Sequence, residues 1–246
     1  MTTLIKLMLK HTLSDKISLF YALLFPLGLM IGINYFVDSD QYILTGIISL
    51  SILFWNMQGL SFQIYRQKSK GIYQYLKITP MKLTSFITVL MIVRTFVSLL
   101  INLILLIIGF YILNFHFTTS YIIQCIVIII TASLCFSALG FLISNIAKNE
   151  GQINVFSNLL FLPMILCTDA FYSLHSIPSW MQLIGKCLPF NYVLNAFRSA
   201  INFDDQSILL SIFIILIFTV VFFTLGLFTT GKIKEWNPKG MIVSEK

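Results

Sequence analysis

Few of the 246 residues carry groups suited to acid–base, nucleophilic or metal chemistry, and those few are scattered. The three histidines, His11, His116 and His175, fall in three separate regions. Neither HExxH nor GxSxG occurs, so zinc and serine hydrolysis find no support. Asp204 and Asp205 are adjacent acids of the kind that hold metals in lipid-modifying enzymes. The pair stands alone before an apolar run, where acidic residues favour a helix start. Cys125, Cys135, Cys167 and Cys187 lie in apolar surroundings without CxxC spacing and read as small buried hydrophobes. No GxxxxGK[ST] loop is present, so ATP cannot be bound here by a P-loop, and any ATP-driven work needs a motor on another polypeptide. The expectation is a chain with no catalytic, cofactor-binding or metal-binding residue of its own. Two ionisable residues stand out by position, Arg94 and Asp169, because both fall within apolar runs where charge is expensive.

The elements that must carry these residues belong to a membrane protein. The chain is 58% hydrophobic and 10% charged, with mean hydropathy +0.91. A soluble domain carries about 25% charged residues. The net charge of +7 has no clustered basic domain behind it, so no nucleic-acid partner is expected. Basic residues instead mark the cytoplasmic loops of a membrane protein. Lys6, Lys10 and Lys16 precede the first apolar run, which no A-x-A site closes, so it reads as an uncleaved span.

A helix needs about 20 apolar residues to cross the hydrocarbon core. Six segments qualify, at about 18–37, 42–65, 84–113, 121–147, 152–170 and 207–230. With the N-terminus inside, 13 of the 16 basic residues fall on one side and only Lys186 and Arg198 on the other, while Arg94 lies within a span. The positive-inside rule then places both termini in the cytoplasm. The predicted fold is an all-α integral membrane protein, a single transmembrane domain over residues 1–246, in which no internal repeat is evident.

The stretch SIPSWMQLIGKCLPFNYVLNAFRSA, residues 176–200, is apolar enough to be a seventh span. Charge parity rejects that, because the basic C-terminal tail would then lie outside. Ser179 to Leu188 is only about 15 Å as helix, and Pro189 breaks a continuous helix. Two half-length helices over 178–201 fit a re-entrant outer hairpin between spans 5 and 6, with Ser179 as N-cap. The alternative is an interfacial loop with Trp180 and Tyr192 as belt residues. Non-helical backbone at membrane depth must be covered by protein or water, which favours re-entry.

Arg94 lies about 15 Å along the third span, which favours snorkelling to the inner interface over a contact inside the bundle. Asp169 closes the fifth span, at the interface or as a cap of the re-entrant turn. Pro163 in the same helix frees a carbonyl and is expected to kink it. The cytoplasmic stretch RQKSKGIYQYLKITPMK, residues 66–82, is the other informative piece. Gly71 divides its basic run from a segment in which Ile72, Tyr75 and Leu76 share a helical face. Thr79 and Pro80 supply an N-cap and a first helical residue for the third span. The stretch is either a partner-docking helix or a basic loop on anionic membrane lipid.

These features resemble the permease subunits of type-2 ATP-binding-cassette (ABC) exporters. The motif-bearing region runs from ALGFLISNIAKNEGQ (138–152) through Pro163 to DAFYSLHSIPSWMQLIGKCLPFNYVLNAFRSAI. The spacing of Pro163, Phe171, Pro178, Gln182, Pro189, Tyr192, Ala196 and Arg198 is similar to the family's Pro, Phe-Pro, Pro-x-x-x-Gln, Pro-x-x-Tyr and Ala-x-Arg pattern. This chain has LCTDA in place of Leu-Ser-Gly, Ser173 in place of a proline, and Arg66 and Gln67 where an acid is usual. The resemblance implies a second permease copy or a paralogue, and a dimer of cytoplasmic ATPase subunits that use ATP and Mg. It implies that Lys70, Gly71, Tyr73, Tyr75, Leu76, Thr79 and Pro80 belong to the ATPase-coupling element. It makes Pro163, Asp169, Phe171, Pro178, Gln182, Pro189, Tyr192 and Arg198 the lid of a translocation path. The branch it looks most like includes bacterial drug and peptide exporters of the plasma membrane. Competing readings are a membrane enzyme acting on lipid and an ATPase-independent sensor or immunity protein.

Overall fold

The computed structural model describes residues 2–36, 41–72, 82–112, 119–171, 178–201 and 208–233. Among these the only regular structure is helical. The helices are α1 (Thr2–Ser14), α2 (Lys16–Phe36), α3 (Gln41–Leu53), α4 (Gly59–Ser69), α5 (Leu83–Ile112) and α6 (Thr119–Ile146). They continue with α7 (Glu150–Leu166), α8 (Ser179–Lys186), α9 (Pro189–Ala200) and α10 (Ile208–Ile233). A π-helical turn, Phe54–Gln58, joins α3 to α4.

Among the described residues, four stretches are long and apolar enough to cross a membrane: Ile43–Ser69, Leu83–Ile112, Tyr121–Ile146 and Ile208–Thr230. The pair α1 and α2, bent by 58°, qualifies as a fifth when taken together. In such helices the backbone satisfies itself, which is the condition for standing in lipid. α7 has 17 residues, about 25 Å of helix.

α1 precedes the first expected span, in a region that the sequence marks only by Lys6, Lys10 and Lys16. Its Leu4 and Met8 pack beside Leu60, Ile64 and Phe86. Asp15 separates the two helices: its carboxylate accepts from Ser18 N at 3.2 Å and from Ser18 Oγ at 2.7 Å. That is N-cap chemistry, satisfying donors that the first turn of α2 leaves unpaired.

α6 is the centre of the bundle, packed on α10, α5, α4 and the π turn. Its Cys125, Ile128, Ala132, Cys135 and Phe136 are fully buried in the main core. Small residues set the closest approaches. A Cβ on Gly140 would strike the Met57 carbonyl, and one on Gly46 the Ala170 carbonyl. Where lipid removes any hydrophobic drive between helices, such close contacts and buried hydrogen bonds hold them together. The bonds are present. Asn56 donates to Ser98 Oγ at 2.9 Å, Ser133 to Ser98 Oγ at 3.0 Å, Ser137 to Asn56 Oδ1 at 3.3 Å and Ser61 to the Gly140 carbonyl at 2.8 Å.

Candidate functional site

The helix pair α8–α9 begins at Pro178, whose carbonyl accepts from Met181 N at 3.0 Å. Pro178 is the N-cap of α8, and Ser179 is its first helical residue without a capping bond, which corrects the cap expected from sequence. α8 ends after Lys186, and Leu188 is extended (φ −97°, ψ 137°). A residue before proline is pushed out of the helical region by the ring, so Pro189 both stops α8 and starts α9 from its first position. At eight and twelve residues, the limbs are about 12 and 18 Å long, each well short of a crossing.

The limbs differ in burial. α9 buries Phe190, Val193, Leu194, Ala196 and Phe197 against α3, α6 and α10. α8 buries Gly185 but leaves Trp180, Leu183 and Ile184 exposed. Gly185 sits against the Cys167 carbonyl at the end of α7, where a Cβ would not fit. Gln182 is half-buried on α8.

Three further residues marked by the sequence tie this region together. Tyr192, one turn into α9, donates its hydroxyl to the Lys186 carbonyl at 2.8 Å and so bridges the two limbs. Arg198 reaches from α9 to the turn after α7, where its guanidinium donates to both the carboxylate and the main-chain carbonyl of Asp169. Arg198 is 1% exposed and Asp169 16%, so the ion pair is interior to the fold. Asp169 is therefore neither a free interfacial acid nor an ordinary cap. Phe171 follows it and packs on the main core.

α7 is shorter than the span over 152–170 expected from the sequence. It stops at Leu166, and residues 167–170 turn away with Cys167 N on the Pro163 carbonyl at 2.9 Å and Thr168 Oγ1 on Met164 O at 2.5 Å. The change of direction delivers Asp169 to Arg198. Pro163 lies inside α7, as expected.

Arg94 does not snorkel. It is 7% exposed, and its Nε and Nη2 donate to the Trp55 carbonyl at 3.1 and 2.8 Å, while Nη1 donates to Gln63 Oε1 at 2.9 Å. The guanidinium also lies 4.3 Å from the centroid of the Trp55 ring. A π turn widens the backbone ladder and leaves a carbonyl for an outside donor, so a bond within the bundle replaces the reach to the interface. Gly59, beside the guanidinium, leaves it the space a Cβ would fill.

At the other end of α4, Lys70 is the C-cap and Gly71 follows with φ +74°, donating to Lys68 O at 3.0 Å. That left-handed backbone suits glycine and turns the chain out of the span. Tyr73, Tyr75, Leu76, Thr79 and Pro80 lie outside the described residues. Nearby, Arg66 pairs with Glu150 at 3.1 Å, Tyr65 donates to Lys148 O at 3.0 Å, and Gln58 donates to Asn154 at 2.9 Å. α4 and the start of α7 are thus stitched by polar groups. The π turn, the Asn56–Ser98 network and this stitching carry no local motif.

No curated protein matches the chain. The family model described as ABC-2 type transporter matches residues 2–203, and it covers the α8–α9 hairpin, Asp169, Arg198 and Arg94. A multi-pass helical bundle with that match is a transport component that usually works with an ATPase subunit, and the chain belongs to the ABC-2 type transporter family as a membrane permease.

Proposed function

We propose that the chain is the membrane half of an ATP-driven exporter in a bacterial plasma membrane. The observation that carries this reading is the α8–α9 hairpin, tied by Tyr192 and Arg198–Asp169 within a chain of the permease family. In the proposed topology six spans cross, α2 is the first and α7 the fifth, the hairpin dips from the outer face, and both termini are cytoplasmic. Two copies, or one copy and a paralogue, sit on a dimer of ATPases that bind ATP and Mg. Exposed Val155, Leu159, Leu162 and Leu166 recur at helical spacing on α7 and suit a second permease. The substrate is lipophilic or amphipathic, a drug, peptide or lipid-like molecule, because the spans are apolar. ATPase closure biases the permease between two states that it contacts differently.

Coupling is assigned to the stretch 66–82, which contains the Gly71 turn. Leu76→Glu is expected to cut ATP-dependent transport at least about tenfold, a loss of ~1.4 kcal/mol of coupling. Membrane insertion and basal ATP hydrolysis are retained. The measurement is uptake into inverted vesicles beside phosphate release, with a cassette ATPase co-expressed. Transport by the permease without any ATPase would overturn the reading.

Pro189→Ala removes the ring that stops α8 but leaves Tyr192 and Arg198 in place. It is expected to lower transport severalfold while a C-terminal reporter stays cytoplasmic. A reporter that moves outside sinks the hairpin topology.

A further inference from the structure

We propose that the cavity between α2, the π turn and α5 binds an amphipathic anion, a hydrocarbon tail with a carboxylate or phosphate head seated at Arg94. The cavity is about 460 Å³, within the range of small-molecule sites. Its walls are mostly apolar: Ala22, Phe25 and Pro26 from α2, and Phe54 and Phe62 from the opposite side. Phe25 and Phe54 are exposed, so the cavity is open along that edge to a tail entering from the surroundings.

Two polar groups on its wall have bonding capacity left. A guanidinium has five N–H donors, and Arg94 uses three of them on Trp55 and Gln63. No carboxylate lies within ion-pair distance of it among the described residues; the ion pairs there are Arg66–Glu150 and Arg198–Asp169. Asp15 is near enough to interact electrostatically with Arg94, but it does not pair with it and is bound by Ser18 at the edge of the cavity. The second group is the Trp55 indole. Trp55 is 7% exposed, lines the same cavity, and its Nε1–H has no hydrogen-bond partner among the described residues.

A cation with no carboxylate in contact, and only Asp15 at longer range, is costly inside an apolar bundle. The π-turn carbonyl and the indole face supply dipoles but no neutralising charge. A carboxylate or phosphate oxygen placed beside Arg94 would supply the charge, accept from the spare guanidinium donors, and offer an acceptor to the indole. A neutral head would leave the charge with no carboxylate in contact and only Asp15 at longer range. The site therefore selects for anions over esters or alcohols of the same chain length. This assignment goes beyond the permease reading and does not need it, since binding requires neither ATP nor the ATPase.

The chain has three tryptophans, Trp55, Trp180 and Trp236, so Trp180→Phe with Trp236→Phe leaves Trp55 as the sole indole. The full chain in neutral detergent is titrated with a brominated long-chain fatty acid and, in parallel, with its methyl ester. Brominated phosphatidylglycerol is compared with brominated phosphatidylcholine in the same way. Saturable quenching of Trp55 is expected at about tenfold lower concentration for the anionic member of one pair, from a charge-assisted bond. Preference within the fatty-acid pair identifies a free amphiphile, and preference within the phospholipid pair a membrane lipid. Arg94→Gln should abolish the preference, and Arg94→Lys should retain part of it. Because Arg94→Gln also disturbs the π turn, Ala22→Phe fills the cavity with Arg94 intact and should remove saturable quenching. Equal quenching by charged and neutral probes, or unchanged quenching in folded Ala22→Phe, overturns the assignment.

Discussion

Asp169→Ala is expected to destabilise the protein by about 3 kcal/mol and to expose Cys167 to maleimide. Removing one member of a buried ion pair leaves the other charge without compensation, at a cost of ~3–5 kcal/mol. The lower end applies because Asp169 retains some exposure and its main-chain carbonyl still accepts from Arg198. Arg198 is 1% exposed on a limb packed against α3, α6 and α10, so its charge has no route to water without moving α9. Cys187 is exposed and Cys167 buried in the native fold, which gives the labelling an internal reference. Thermal unfolding in detergent reads the stability. The double variant Asp169→Ala with Arg198→Met should recover most of the loss, since deleting both charges removes the unpaired one. If the double variant is as unstable as the single one, the pair is not what holds the turn.

Gly140→Val is the second large effect. α6 crosses the π turn at Gly140, where the first added carbon meets the Met57 carbonyl and lies 3.1 Å from that of Asn56. Both obstacles are backbone, so the strain cannot be relieved by a side-chain rotation. Overpacking of this kind costs about 1–3 kcal/mol, and valine should reach the upper figure and alanine less. The separation would also stretch the Ser61–Gly140 and Ser137–Asn56 bonds. A graded fall of the melting temperature from glycine through alanine to valine is expected, with transport falling in parallel. A valine variant that melts with the wild type would mean the helices are not held at this distance.

What could be read from the sequence was what depends on local backbone chemistry. Pro178 and Pro189 stop and start helices by their own geometry, and both limbs of the hairpin begin where the prolines put them. Gly71 ends α4 for the same kind of reason. Asp169 and Arg198 were each marked as candidates, but their pairing spans 29 positions and depends on α7 ending at Leu166. Arg94 departs from the sequence expectation because its acceptor is the Trp55 carbonyl within a π turn, for which FWNMQ carries no signature. α1 is not legible because lysines before an apolar run read as a flank, while its apolar contacts lie on residues distant in sequence.

α10 has only 11% of its hydrophobic window buried, against 78% for Ile43–Ser69. Ser211, Ile215 and Gly226 are its inward positions, spaced four and eleven residues apart along one ridge, with Gly226 giving its carbonyl to Asn145. Ile208, Ile212, Phe218, Phe222, Phe223 and Leu227 flank that ridge against the core and Thr230 accepts from Asn145, while the remaining positions ask only to be oily. Inherited variation should therefore be distributed unevenly along it, with free exchange among leucine, isoleucine, valine and phenylalanine over the outward positions such as Leu209, Val220 and Phe228. The ridge would be held nearly still, so a divergent α10 can conceal an unchanged contact with the rest of the bundle.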